Sequence, residues 1–434
     1  MSEGLERIES KVRQFQRKLY LKAKRERSFR FYILYDKIFR WDILVLAWHR
    51  VKANGGSAGV DGQTFEQIER GGIVPYLRAI QTELQEQRYK PLPVLRRYID
   101  KGNGKVRPLG IPTIRDRIVQ MACKLVIEPI FEADFADCSY GFRPKRSAHQ
   151  AIQDLKQHLQ RGYKEVWDCD LSQYFDTIPH ARLMQLIERR ISDRDVLWLI
   201  RLWLKAPIAA RTAGSKIRYM GGGKRNKRGT PQGGVISPLL ANIYLHELDK
   251  EFYRRDGVLL RCGARIVRYA DDFVVVALYI GEPIKRAVMA KLEDLGLTLN
   301  EEKTRIVRMA EESFDFLGFT FRYDRHLDGR TGRYLNVHPS RKSQLRLHDK
   351  LRGILVPGNK KSTDDLVQEL NRTLVGWRNY FSAPGTYPRK VFRDVNWYLR
   401  HRITRFYRRR SQRRSKLYGQ GAYEKLLKAG LVVL

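Results

Sequence analysis

The chain has 434 residues, with 84 Lys and Arg against 47 Asp and Glu, a formal net charge of +37. That length holds two or three domains around a sizeable core, and that charge is best tolerated beside a polyanion, with nucleic acid ahead of an anionic membrane surface. No apolar run approaches the roughly 20 residues of a membrane span, no signal-peptide core follows the charged amino terminus, and the four scattered cysteines (Cys123, Cys138, Cys169 and Cys262) lack zinc-ligand spacing, as buried thiols in a reducing compartment would.

Residues 1 to 50 read as basic helices. Leu5, Ile8, Val12, Phe15 and Leu19 recur at helical spacing, and Lys and Arg load the other faces. Such an arm is a solvated helical face or a tracker of phosphates, and the pattern leaves both open. A glycine-rich loop at 54–62 precedes a predicted helix over 63–90. Val94 to Ile99 and Val106 to Ile111 alternate as two strands around the turn Lys101-Gly102-Asn103-Gly104-Lys105, a hairpin that carries Arg107 and suits closure on a triphosphate. A long helix is expected over 115–132. The loop Ser139-Tyr140-Gly141-Phe142-Arg143-Pro144 brings Arg143, Lys145 and Arg146 to a helix start, where Ser147 and Gln150 have capping-box spacing. Cations at a helix amino terminus make a phosphate cradle.

Glu165 to Leu171 reads as a strand with Val166, Asp168 and Asp170 on one side, followed by Gln173-Tyr174-Phe175-Asp176. Asp168 and Asp176 are read as turn or cap residues. An apolar helix is expected over 195–210. A basic glycine-rich loop with Lys224 and Arg225 then leads into Thr230-Pro231-Gln232-Gly233-Gly234, a turn that lets backbone approach a ligand plane, and a helix over 239–253. Next, Tyr269-Ala270-Asp271-Asp272 stands between two β-forming flanks. This is a hairpin with two adjacent carboxylates at its tip, a costly pairing unless a cation neutralises it. A helix over 282–296 and an apolar β segment over 314–321 follow. Beyond residue 340 the chain turns helical and basic, with Thr363 placed to cap a helix. Between residues 400 and 416 there are nine Arg or Lys and no acid, among them Arg405, Arg408 and Arg409, interleaved with Phe406 and Tyr407. Rings stack on bases while cations hold phosphates; alternatively, the rings are core and only the cations face out.

Asp170 with Asp271 and Asp272 has the chemistry of a two-metal phosphoryl-transfer cage. The ordered set resembles the reverse transcriptases encoded by bacterial group II introns. It runs from Arg107-Pro108-Leu109-Gly110-Ile111-Pro112-Thr113 through the Ser139–Pro144 loop, Asp170, Phe175-Asp176, Gly229-Thr230-Pro231-Gln232-Gly233-Gly234 and Tyr269-Ala270-Asp271-Asp272 to Phe316-Leu317-Gly318-Phe319. Gly376-Trp377-Arg378-Asn379-Tyr380-Phe381 resembles that family's thumb, or maturase, segment, and the likeness covers roughly residues 45 to 410.

The resemblance implies an α+β right-hand polymerase. Its parts are a basic amino-terminal extension (1–50), fingers and palm (51–325) and a helical thumb (340–434). It implies that Asp170, Asp271, Asp272 and the Leu171 carbonyl hold two Mg²⁺ ions, with Asp271 the firmer ligand of its pair. Lys101, Lys105, Arg107, Tyr174 and Gln232 would contact the nucleotide, Phe175 would exclude a 2′-hydroxyl, and Lys303 would assist pyrophosphate departure. Arg143, Lys145, Arg146, Lys224, Arg225, Arg405, Arg408 and Arg409 would hold nucleic acid. The implied partners are an intron RNA template, a DNA or RNA primer and deoxynucleoside triphosphates, with no membrane, in a cytoplasmic, nucleoid-associated setting. No cysteine- and histidine-rich nuclease domain follows the thumb, so no DNA endonuclease activity is expected. Two alternatives remain: a free-standing reverse transcriptase of DNA repair or phage defence, and an RNA-binding splicing cofactor with a disused polymerase.

Overall fold

The structure is a computed structural model that describes residues 2–100, 106–211, 217–223, 225–230, 233–326, 331–409 and 421–434. In chain order it opens with α1 (Ser2–Arg25), α2 (Tyr35–Ile38) and α3 (Trp41–Asn54). The helix expected over 63–90 is two helices, α4 (Phe65–Gly71) and α5 (Ile73–Gln85). They part at Gly72, whose φ of +93° no helix accommodates. β1 (Val94–Asp100) and β2 (Val106–Ile111) form the expected antiparallel pair, Leu95 opposite Ile111 and Asp100 opposite Val106. α6 (Ile114–Glu132) follows, with the Thr113 hydroxyl accepting from the Asp116 amide as its cap. α7 (Ala148–Gln160) starts at the Ser147–Gln150 capping box. Then come β3 (Glu165–Cys169), α8 (Tyr174–Thr177), α9 (His180–Glu188) and α10 (Arg194–Leu204).

The helix expected to reach residue 210 stops at Leu204. Pro207 lies just beyond, and the next residues form β4 (Ile208–Arg211) and β5 (Ile217–Gly221). β4 runs parallel to β1, so the expected hairpin is half of a four-stranded sheet of order β2–β1–β4–β5. α11 (Ser237–Glu251), α12 (Val258–Arg261), β6 (Arg265–Tyr269), β7 (Asp272–Ala277), α13 (Glu282–Asp294) and β8 (Arg305–Arg308) come next. The apolar segment over 314–321 is folded on itself. Leu317 and Gly318, at φ +48° and +82°, turn it into β9 (Phe314–Phe316) and β10 (Phe319–Arg325), and β11 (Arg333–Pro339) completes an antiparallel sheet. α14 (Arg341–Ile354), α15 (Thr363–Phe381), α16 (Arg389–Arg409) and α17 (Gly421–Lys428) end the chain. Ser362, rather than Thr363, caps α15 by accepting from the Asp365 amide.

The architecture is α+β, and the chain divides into two compact units. The first comprises Met1–Arg146, Cys169–Phe273 and Gly281–Thr304. Its central helix is α6, buried along most of its length. α1 lies on α6, where Gln16 donates to the Leu125 carbonyl at 2.8 Å and Lys24 to the Ala133 carbonyl at 3.1 Å. The buried Arg190 guanidinium holds the end of α1 through the carbonyls of Ala23 and Glu26 at 2.8 and 3.1 Å. One face of the amino-terminal arm is therefore docked, and its other cations are exposed, with Lys11, Arg13 and Lys22 paired to Asp42, Glu9 and Glu26.

The second unit comprises Ser147–Asp168, Val274–Ile280 and Arg305–Leu434. Its helices α14 to α17 share one apolar core that includes Leu347, Leu370, Leu374, Leu399, Ile403 and Phe406. Two stretches quoted far apart in the sequence meet here. The Tyr380 hydroxyl donates to the Leu317 carbonyl at 2.9 Å, and Gly318 leaves room for the Ser343 hydroxyl, beside the Phe381 ring.

Candidate active site

The hairpin of β6 and β7 is buried on both flanks, through Ile266 and Val267 on one strand and Phe273 to Val276 on the other. Its turn is Ala270 and Asp271. Asp272 is already the first residue of β7 and is exposed, whereas Asp271 is half-buried at the bend. Ala270 takes φ +60°, the left-handed conformation that glycine ordinarily supplies at the first position of a two-residue hairpin turn. A non-glycine residue there stores about 1–3 kcal/mol of strain, which the surroundings must hold.

The Ser139–Pro144 loop lies against this turn. The Tyr140 amide donates to the Arg268 carbonyl and the Arg268 amide to the Cys138 carbonyl, both at 2.8 Å, so Ser139 pairs with Arg268 like a further strand. A β-carbon on Gly141 would collide with the Ala270 amide nitrogen. The loop's glycine thus serves the β6–β7 hairpin, and its arginine serves the loop. Arg143 is almost fully buried, bonded to Glu132 at 2.7 Å and to the Ala136 and Ser139 carbonyls at 2.6 and 2.7 Å. The expectation that Arg143 cradles phosphate is corrected: its donors are committed inside the protein. Arg146 pairs with Asp137 and lies over the Tyr140 ring, while Lys145 is exposed.

Asp170 stands just past the end of β3. The Asn300 amide donates to its carbonyl at 2.7 Å, and the Ser172 amide donates to the Thr298 carbonyl at 2.9 Å. These two bonds bracket Leu171 opposite Leu299 and leave the Leu171 carbonyl outside the ladder. The Asp170 carboxylate accepts from the Lys303 ammonium at 2.8 Å. Asp170 is 33% exposed and Lys303 60%, so the pair is worth about 1 kcal/mol or less and yields readily to a stronger cation. Among the described residues no three His, Cys, Asp or Glu side chains form a metal cluster by themselves. Carboxylate and carbonyl oxygens are nonetheless the donor type Mg²⁺ takes, its remaining positions being filled by substrate phosphate and water.

The residues after Asp170 are fixed from below. Gln173 turns the chain at φ +46° into α8. The Tyr174 hydroxyl is fully buried and donates to the Ala241 carbonyl at 2.6 Å. Burial pushes this phenol well above its ordinary pKa; the Arg268 charge opposes the rise and the Asp271 charge adds to it. Tyr174 is therefore a support for the site and not the nucleotide contact expected of it. Phe175 is 9% exposed, and its carbonyl accepts from the Thr230 amide at 2.7 Å. The Gly229 carbonyl bonds the His180 ring at 2.6 Å, and burial lowers the pKa of that imidazole. The start of the Gly-Thr-Pro-Gln-Gly-Gly segment is thus tied to the aromatic residue beside the site.

The far end of that segment is equally fixed. Gly233 has φ +111°, and a β-carbon there would collide with the Gly110 carbonyl of β2. The Val235 amide donates to Gln120 on α6 at 2.8 Å. The close backbone approach expected of this turn is an approach to β2. Lys101, Lys105, Gln232 and Lys224 lie outside the described residues, and Arg107 stands on β2 opposite Ile99. Arg225 is exposed. In the second unit, Arg405, Arg408 and Arg409 are exposed on α16, while Phe406 and Tyr407 are buried in its core. The interleaved rings are therefore core, with the cations facing out. A ring not singled out from the sequence is Trp397, 64% exposed, its centroid 3.9 Å from the His401 ring at a tilt of 39°.

A family profile described as reverse transcriptase (RNA-dependent DNA polymerase) matches residues 99–321, and one described as the group II intron maturase-specific domain matches residues 344–422. The chain is similar to protein YkfC of Escherichia coli K12, 36% identical over 347 residues that cover 71% of this chain and 87% of YkfC. It is similar to the group II intron-encoded protein LtrA of Lactococcus lactis subsp. cremoris, 31% identical over 360 residues that cover 67% of this chain and 57% of LtrA. It is also similar to an uncharacterized 91 kDa protein in the cob intron of Schizosaccharomyces pombe, 34% identical over 349 residues, 67% of this chain and 41% of that protein. The chain thus spans little more than half the length of LtrA.

Proposed function

The chain belongs to the reverse transcriptase (RNA-dependent DNA polymerase) family, carries the maturase-specific domain of group II introns, and on that premise we propose that Asp170, Asp271 and Asp272 carry the copying of RNA into DNA. Its class, an RNA-directed DNA polymerase of group II intron type, follows from the two profile matches together with the likeness to LtrA. What supports the site assignment best is the strained turn that presents Asp271, lying inside the matched segment.

In the reaction proposed, the primer 3′-hydroxyl oxygen bonds to the α-phosphorus of a deoxynucleoside triphosphate, and pyrophosphate leaves with the electrons of the broken phosphorus–oxygen bond. Asp170, Asp271, Asp272 and the Leu171 carbonyl would hold two Mg²⁺ ions, which supply activation of the hydroxyl and neutralisation of the leaving charge. Lys303, whose exposed ammonium lies on the Asp170 carboxylate, is assigned to the charge and proton the departing pyrophosphate needs. Lys101, Lys105, Arg107 and Gln232 are assigned to the triphosphate and sugar. Phe175 is held by its neighbours from behind, and its ring is assigned to the space a 2′-hydroxyl would fill. Phe175→Ala is expected to let ribonucleotides in and to narrow the preference for deoxynucleotides by roughly tenfold or more, read as the ratio of kcat/KM for the two triphosphates. An unchanged ratio would remove Phe175 from that role.

The partners proposed are an intron RNA, which the protein also helps to splice, and a DNA or RNA primer. Lys145, Arg146, Lys224, Arg225, Arg405, Arg408 and Arg409 are assigned to the phosphates. No described helix is long and apolar enough to cross a membrane, and a nucleoid-associated place in the cytoplasm is proposed from the charge. RNA affinity is expected to fall by about a thousandfold or more between 50 and 200 mM salt, as for a protein that releases several counterions. A flat salt profile would contradict the phosphate-tracking role.

A further inference from the structure

Arg268 is an arginine in the middle of an otherwise apolar strand, and it is wholly buried. Its guanidinium donates to both carboxylate oxygens of the equally buried Asp249, at 2.7 and 2.5 Å. Its Nη1 reaches the Asn242 side-chain oxygen at 3.0 Å and the Ala270 carbonyl at 2.8 Å. Asn242 in turn donates to the Gly141 carbonyl at 2.8 Å. Burial alone would raise the Asp249 carboxyl, but the Arg268 charge holds it below the usual carboxylate range, so the pair is ionised.

Stability is a weak reason for such a group. Taking two charges out of water costs several kcal/mol each, and well-packed apolar residues in their place are often as stable. What apolar residues cannot do is aim. The fork fixes two carboxylate oxygens, one side-chain amide and one backbone carbonyl at once, a geometry a lysine cannot copy. The carbonyl it selects belongs to Ala270, the left-handed residue immediately before Asp271. The amide it selects anchors Gly141, whose backbone presses on that same residue. The strained turn is therefore held from two sides by one buried network rooted in α11.

We propose that Arg268, braced by Asp249 and Asn242, is a positioning residue that holds the Ala270–Asp271 turn in the conformation in which Asp271 binds a divalent cation. This rests on the reading of Asp271 as a metal ligand, and the test separates the two. Mn²⁺ binding to the full-length protein, followed by electron paramagnetic resonance, is measured for the wild type, Asp271→Asn, Arg268→Lys and Asn242→Ala, with melting temperature and RNA affinity recorded alongside. Loss of a Mn²⁺ site in Asp271→Asn establishes the ligand. Arg268→Lys and Asn242→Ala are then expected to weaken that site by about 10- to 100-fold at nearly unchanged RNA affinity, and their primer extension is expected to recover in part as Mn²⁺ is raised. Wild-type Mn²⁺ affinity in both variants would overturn the proposal. If Arg268→Lys does not fold, Asn242→Ala, which keeps the buried ion pair, decides alone. Equal Mn²⁺ binding by the wild type and Asp271→Asn would overturn the metal reading and the proposal with it.

Discussion

Replacing Asp271 with alanine is expected to lower primer extension by about a thousandfold or more while leaving RNA affinity within about twofold of the wild type. The magnitude follows from the several kcal/mol that a correctly held metal ion contributes to a phosphoryl-transfer transition state, at about 1.4 kcal/mol per factor of ten. Selectivity follows from position. Asp271 lies at a half-buried turn and Asp272 begins the next strand on the exposed side. The cations assigned to RNA are other residues, on the loops around residues 145 and 225 and on α16. Removing one carboxylate from a positively charged protein gives no reason for RNA to leave. Asp272→Ala is expected to be the milder of the two. Extension by Asp271→Ala at a rate near the wild type would refute the assignment.

The second large effect is expected from a residue with no side chain. Gly141→Ala places a methyl group where the Ala270 amide nitrogen and the Tyr269 carbonyl carbon already stand. Backbone on both sides has to move, and the backbone on one side is the turn that carries Asp271. A displacement of about 1 Å in a catalytic group costs about a hundredfold in rate, so Gly141→Ala is expected to lose primer extension by about that factor. Gly233→Ala, which meets the Gly110 carbonyl, strains the contact of its segment with β2 in the same manner. The check is single-turnover extension with the melting temperature alongside. Wild-type turnover by a folded Gly141→Ala variant would show that the loop does not set the turn.

Much of this site is legible in the sequence because its signals are local. Two β-forming flanks around Ala270-Asp271 define a hairpin whatever else the chain does, and Ser147 with Gln150 marks a helix start three residues at a time. The misses are places where a partner remote in sequence decides. Pro207 marks the helix end locally, but that Ile208 to Arg211 form a strand is decided by β1 and β5 on either side. Leu317 and Gly318 bend an apolar run that reads as one strand, because Ser343 and Phe381 pack where the bend is. Tyr174 and Arg143 carry the right functional groups for binding, and only their burial shows those groups already committed. A signal for Arg268 was present. Asn242 and Asp249 lie two turns apart among Leu240, Ile243, Leu245 and Leu248 on the inward face of α11. Polar residues on a buried face require partners, and an arginine within a buried strand is the complementary demand.

The central claim is metal-dependent DNA synthesis on an RNA template by the site that contains Asp170 and Asp271. Its most direct test is extension of a DNA primer on an RNA template by the full-length wild-type protein as Mg²⁺ is titrated from a chelated start. The expected result is no extension in chelator, a rise with Mg²⁺ steeper than first order because two ions are needed, and copying that stops when deoxynucleoside triphosphates are withheld. Extension that persists in chelator, or a wild-type protein that binds the RNA template and extends nothing at any Mg²⁺ concentration, would contradict it.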